Sequence, residues 1–150
     1  MLVTEIESIA VGLGLKFRYG NPAEINLILE ELQTAELPAL VYFVPTQVSD
    51  TIEPNNLVRS TFPFMGAVLN RISADTIDYK SDEVQTIIDI SRDLARKFVY
   101  NLNAAAFIDN TTEGITAVNY PALYAEYDSH LFGCAIECTI PVVLGSTYCT

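Results

Sequence analysis

Basic side chains are scarce in this sequence. Eight Lys and Arg stand against 19 Asp and Glu, and none follows Lys97. The longest basic run is the pair Arg96-Lys97, which is no patch. At a formal net charge of −11 the surface repels phosphate, which argues against a nucleic-acid-binding face. The acids are scattered and not blocked, the pattern of a solvated surface. An acidic lining turned toward DNA or a basic partner is the sharper alternative.

Cysteine and histidine are few. The three cysteines sit late, at 134, 138 and 149, and an odd set of this kind argues against a secreted disulfide framework. A reducing compartment follows. The single histidine, His130, leaves little for acid–base chemistry. Long apolar runs are missing too. The uncharged stretch 37–49 holds Pro38 and Pro45, and it falls short of the ~20 residues that span a bilayer. The first residues, Met1-Leu2-Val3-Thr4-Glu5, have no basic start and an early acid, unlike a secretory signal. Asn110-Thr111-Thr112 therefore carries no weight as a glycosylation acceptor. No repeat, low-complexity tract or linker interrupts the chain.

What is present suits one core. The chain has 150 residues and half of them are apolar, so residues 1–150 read as a single domain. Aromatic and β-branched residues recur from Phe17 to Tyr148, as in an ordered protein.

Periodicity predicts the elements. Residues 2–11 read as an amphipathic helix with Leu2, Ile6 and Ile9 on one side, stopped by Gly12 and Gly14. Residues 16–19 alternate as a short strand. Asn21-Pro22-Ala23-Glu24 has the chemistry of a helix start, with Asn21 as cap and Glu24 closing back on it. That helix runs to about Gln33 with Ile25, Ile28, Leu29 and Leu32 buried, leaving Leu27 off the stripe. The apolar run 37–44 predicts a strand buried on both faces. Residues 45–60 are turn-rich and predict a long loop carrying Val48, Ile52, Leu57 and Val58. Strands follow at 61–69 and 72–79. Ser81 caps the longest helix, 82–102, which turns Val84, Ile87, Ile88, Ser91, Leu94, Phe98 and Leu102 to the core. Asp93 and Lys97 stand at ion-pair spacing on its outer side. Residues 104–109 and 115–118 read as strands, and 122–127 as a segment turning at Asp128-Ser129-His130. The last strand alternates Phe132, Cys134, Ile136, Cys138 and Ile140 with small or polar residues until Pro141 ends regular pairing. The expected fold class is α+β: a two-layer sandwich, mostly antiparallel or mixed, with two main helices on one face.

Chemistry has few footholds. His130, Cys134 and Cys138 would share one face of a helix as metal ligands. Their segment is a strand, where positions four apart stand about 13 Å from each other. One ion cannot join them, and the cysteines read as small core residues. A thiol nucleophile built from Asp128, His130 and Cys134 lacks any flanking motif. Gly12-Leu13-Gly14 follows a helix where a nucleotide fingerprint follows a strand. Asp75, Asp78 and Asp82 lack the alternate spacing and glycine of a calcium loop. Tyr120, Tyr124 and Tyr127, without adjacent basic residues, read as core or protein interface. No catalysis, cofactor or metal is expected.

The order of elements resembles another group. A short helix, a second helix, the apolar strand Leu37-Pro38-Ala39-Leu40-Val41-Tyr42-Phe43-Val44-Pro45, a long loop, a return strand, the long helix and the closing Gly133-Cys134-Ala135-Ile136-Glu137-Cys138 hairpin follow in turn. This layout resembles the small tail-terminator, tail-completion and neck-ring proteins of tailed bacteriophages, with the flavour of gut Bacteroidales phages including the crAss-like group. The resemblance implies a virion protein, made in the host bacterial cytoplasm, that forms a six- or twelve-fold ring at the head–tail junction or tail. Its partners would be its own copies and neighbouring neck or tail proteins. DNA would be only a cargo in the channel, and no membrane is involved. In such rings neighbouring sheets can meet, and an extended loop, here 45–60, reaches toward the lumen or an adjacent ring. The candidate interface residues are Leu27, Val48, Ile52, Leu57 and Val58. An acidic binding protein such as a DNA mimic, and a small enzyme around Cys134 and His130, are the rival readings.

Overall fold

Side-chain and glycine chemistry set the first boundaries. The computed structural model describes residues 2–21, 23–32, 34–54, 57–71, 82–109, 111, 114–126 and 131–145. Helix α1 (Leu2–Gly12) buries Ile6 and Ala10 and stops at a turn where Gly14 takes a φ of 78°, a region open to glycine. Strand β1 (Lys16–Gly20) follows, with Phe17 turned inward. The capping box predicted at Asn21 forms. Asn21 Oδ1 accepts from the amides of Ala23 (2.9 Å) and Glu24 (3.1 Å), and Glu24 Oε2 accepts from the Asn21 amide (3.2 Å). Regular helix begins only after that turn, as α2 (Ile25–Glu31), and ends where Leu32 becomes extended.

After a 3₁₀ turn (Thr34–Glu36) come β2 (Ala39–Phe43), β3 (Ser49–Ile52), β4 (Val58–Arg71), α3 (Asp82–Asn103), β5 (Ala122–Glu126) and β6 (Leu131–Gly145). One six-stranded sheet runs in the order β1-β2-β4-β6-β5, with β3 also pairing β4. β1 and β2 are parallel; the other pairs are antiparallel. This is the expected α+β fold with a mixed sheet.

Alternation assigns the two faces. Leu40 and Tyr42 of β2, Phe64 and Val68 of β4, and Cys134, Ile136 and Ile140 of β6 meet α1 and α3 in the main core. The two longest helices thus share one face. Tyr42, Phe64 and Phe98 stack in series, with ring centroids 5.1 and 5.8 Å apart. Burying each such ring is worth ~1.5–3 kcal/mol. Ala39, Val41, Ala67, Leu69 and Leu131 point the other way, onto Ile25 and Leu29 of α2 and Leu32 just beyond it. Burial on both faces explains why β2 is continuously apolar.

Several expectations change. Residues 45–60 are not a long loop, because 49–52 pair with 58–61 as a hairpin. Pro141 does not end the pairing: it faces Thr61, and β6 continues to Gly145. Residues 104–109 are mostly turn, with β pairing only where Ile108 bridges Val142. Residues 115–118 form no strand; Asn119 alone bridges Glu137. Asp93 pairs with Arg96 at 3.0 Å, one residue short of Lys97. The strand expected at 72–79, the Ser81 cap, Asp75, Asp78, the 128–130 turn with His130, and Cys149 lie outside the described residues.

Candidate interaction surface

The β3–β4 hairpin prolongs the sheet beyond β2. β2 occupies β4 only from Met65 to Leu69, and β3 takes up the same edge from Val58 to Thr61. On the other edge β6 accompanies β4 throughout. The result is a three-stranded arm growing from the body. A backbone bond from the Glu53 amide to the Leu57 carbonyl (2.9 Å) closes its tip.

An ionic clasp holds this arm. Arg59 donates through Nε to Glu53 Oε1 (2.6 Å) and through Nη1 to Thr111 Oγ1 (2.8 Å) and to Asp109. Asp109 is buried, and it also accepts the Thr111 amide at 3.0 Å. The Thr111 hydrogen bonds, then Arg59, hold the Asp109 carboxyl below its ordinary range. Its bonds to Asp109, then Glu53, raise the Arg59 guanidinium further. Next along the arm, Ser60 donates to Asp50. Removing Arg59 leaves Asp109 buried without its cation. An Arg59→Ala chain is therefore expected to keep its core but lose amide protection at 49–53 and 58–61, measured by hydrogen–deuterium exchange. Unchanged exchange there would show that the clasp does not hold the arm. The lowered carboxyl gives the clasp a pH limit: its contribution is present above 3.8, the ordinary value, and is lost as pH falls through the lower folded value.

Four of the five predicted interface residues gather on the arm. Val48 is 44% and Ile52 72% exposed, while Leu57 and Val58 are half-buried. Ile52 and Val58 are cross-strand partners. Leu27, 58% exposed, stands apart on α2.

The sheet adds a surface that the sequence reading missed. α2 has 7 residues, about 10 Å of helix. β4 has 14, about 46 Å of strand. The helix cannot cover that face, and Met65 is left 49% exposed with Pro63 beside it. Segment 43–47 joins them around a cavity of about 280 Å³. The sequence carries no local signal for it, because the exposure of Met65 follows from how far α2 reaches over the folded sheet.

The thiols occupy the opposite, helix-covered face. Cys134 is buried and Cys138 partly so, and burial pushes each thiol up to about 11. A reactive cysteine needs the reverse, a stabilised and accessible thiolate. Burial likewise pushes Tyr42 up to about 12. All three groups resist ionisation more when folded than unfolded. Their contribution to stability is complete below pH 9 and is lost as pH rises through 11 for the thiols and toward 12 for Tyr42. The urea midpoint is expected to fall steadily across this alkaline range. A flat profile would place these side chains in water.

Among the described residues, no helix is long and apolar enough to cross a membrane. No protein-family model matches the chain, and a search of curated proteins gives no significant match.

Proposed function

We propose that this chain is a structural subunit of an oligomeric ring at the neck or tail of a tailed bacteriophage, joining adjacent rings around the DNA channel. The observation that carries the reading is the clasped arm. It presents Val48 and Ile52 to solvent, while its own carboxylates Asp50 and Glu53 are engaged within the hairpin. Apolar side chains held out on a braced hairpin are costly for an isolated molecule and useful to one that is covered in an assembly. The acidic balance, −11 overall, suits a passage through which DNA slides without adhering. Partners on this reading are other copies of the chain and the neighbouring virion proteins.

Electron microscopy of the concentrated protein, and of phage particles carrying it, tests the proposal. Rings, or density for the protein at the neck or tail, are expected. A chain that stays monomeric and never enters particles would exclude it. Deleting 48–57 removes β3 and the hairpin tip but leaves β4 paired to β6. That variant is expected to keep a native circular dichroism spectrum and to fail in assembly. Loss of the fold on deletion would make the arm part of the core and remove this support.

A further inference from the structure

The ladder on the outer edge of β6 stops one rung early. Within β5, Ala122 faces Cys134 and Leu123 faces Gly133. Upstream of β5 the same register continues. The Pro121 carbonyl accepts the Ala135 amide (2.8 Å), and Asn119 and Glu137 exchange two backbone bonds of 3.0 Å. Backbone groups alternate between the two edges of a strand, so Thr139 turns its amide and carbonyl to the same side as Glu137. In this register the residue opposite Thr139 is Ala117. The two are not paired, and among the described residues Thr139 has no backbone partner on that side. A cavity of about 330 Å³ lies there instead, lined by Thr116, Ala117, Asn119, Glu137, Cys138 and Thr139.

The segment beside the gap has the chemistry of a strand. Ile115, Thr116 and Val118 are β-branched, and Ile115 and Val118 lie against the main core, which keeps 115–118 close to β6. Its upstream end holds it off. Gly114 turns at a φ of 65°, and the Ile115 amide donates to Asn103 Oδ1 (2.9 Å) where a regular ladder would turn it toward β6. A strand from outside the chain fits poorly here, because added strands need several free backbone groups in a row. Between 137 and 141 only Thr139 offers them: Glu137 is paired, and Pro141 has no amide and its carbonyl already accepts from Asp109 (2.8 Å).

We propose that residues 115–118 are a strap with two positions. In the open one, described above, Asn103 holds the Ile115 amide and the β6 edge is bare at Thr139. In the closed one, Ala117 and Thr139 exchange backbone bonds and the cavity is filled. Closure adds that one rung only, because Pro141 offers nothing further on this side. Asn103 is the last residue of α3, so the strap passes between the end of that helix and the edge of the sheet. The inference is independent of the ring reading.

Nitrogen-15 NMR of the full chain tests it. Relaxation dispersion at 115–118 and at Thr139, with one shared rate on the μs–ms scale, is expected. Asn103→Ala removes the catch. The Ala117 amide is then expected to exchange with solvent about fivefold more slowly, the change that follows from removing one hydrogen bond from the open position. Thr139→Pro takes away the donor of the new rung at an edge position where proline is tolerated. Combined with Asn103→Ala, it is expected to cancel most of that gain. The inference is overturned if Asn103→Ala brings no protection at Ala117, or if the gain survives Thr139→Pro in full. Should Asn103→Ala fail to fold, the parent decides: no dispersion, or unrelated rates at 115–118 and Thr139, overturns the inference.

Discussion

Replacing Gly133 with alanine is expected to abolish the native structure. A Cβ at this position would lie 1.9 Å from the Val68 carbonyl oxygen and 3.0 Å from its carbon. Both contacts are to backbone, so no side-chain rotation relieves them. Gly133 pairs with Leu69 inside the β4–β6 ladder and also with Leu123 of β5, and moving it displaces strands on both sides. A loss of about 4 kcal/mol or more is expected, the range kept for severe single changes. Domains of this kind have only ~5–15 kcal/mol in all. Soluble yield and urea unfolding provide the measurement. Gly12→Ala is the control: nothing lies within 4 Å of its added Cβ, and it should unfold almost as the parent does. If Gly133→Ala retains parental stability, the β4–β6 register described above is wrong.

Phe98→Ala is expected to bring the next largest loss. Phe98 is fully buried and continues the ring series through Phe64 to Tyr42. It ties α3 to the centre of the sheet, so truncation opens a cavity where helix and sheet meet. Such changes cost ~3–5 kcal/mol. Tyr100, two residues on and 78% exposed, gives the contrast, and Tyr100→Ala should stay within about 0.5 kcal/mol of the parent. Equal effects at the two positions would mean that α3 is rotated from the placement described here.

The readable parts of this fold were those where one chemical pattern had one outcome. Strict alternation from Phe132 to Ile140 allowed only a half-buried strand, and the structure turns Cys134, Ile136 and Ile140 to one face. Asn21 and Glu24 announced a capping box, and both sides of it form. α3 was legible because its stripe is long: Val84, Ile88, Ser91, Phe98 and Leu102 are all buried.

The hairpin at 49–52 was hidden because its residues are all exposed, so no apolar alternation marks the strand. Its pairing comes from the start of β4, six to twelve residues on, and from Arg59 reaching Asp109 fifty residues away. Pro141 misled for a related reason. A missing amide breaks a ladder only where that amide would donate, and here the carbonyl of Pro141 instead accepts the Asp109 amide at 2.8 Å. On the candidate interaction surface, Val48 and Ile52 were visible as apolar side chains in a polar stretch. Met65 was not, because its exposure depends on how far α2 reaches, a tertiary matter.

β4 and β6 run on from the body into the arm, with one register shift at Val58/Arg59, and this makes the molecule mechanically directional. Tension applied to the arm along the strands is shared across the whole ladder, because its hydrogen bonds lie perpendicular to that pull. A sideways force instead peels the bonds one at a time, beginning at the tip. The protein is thus stiff along one axis and compliant across it.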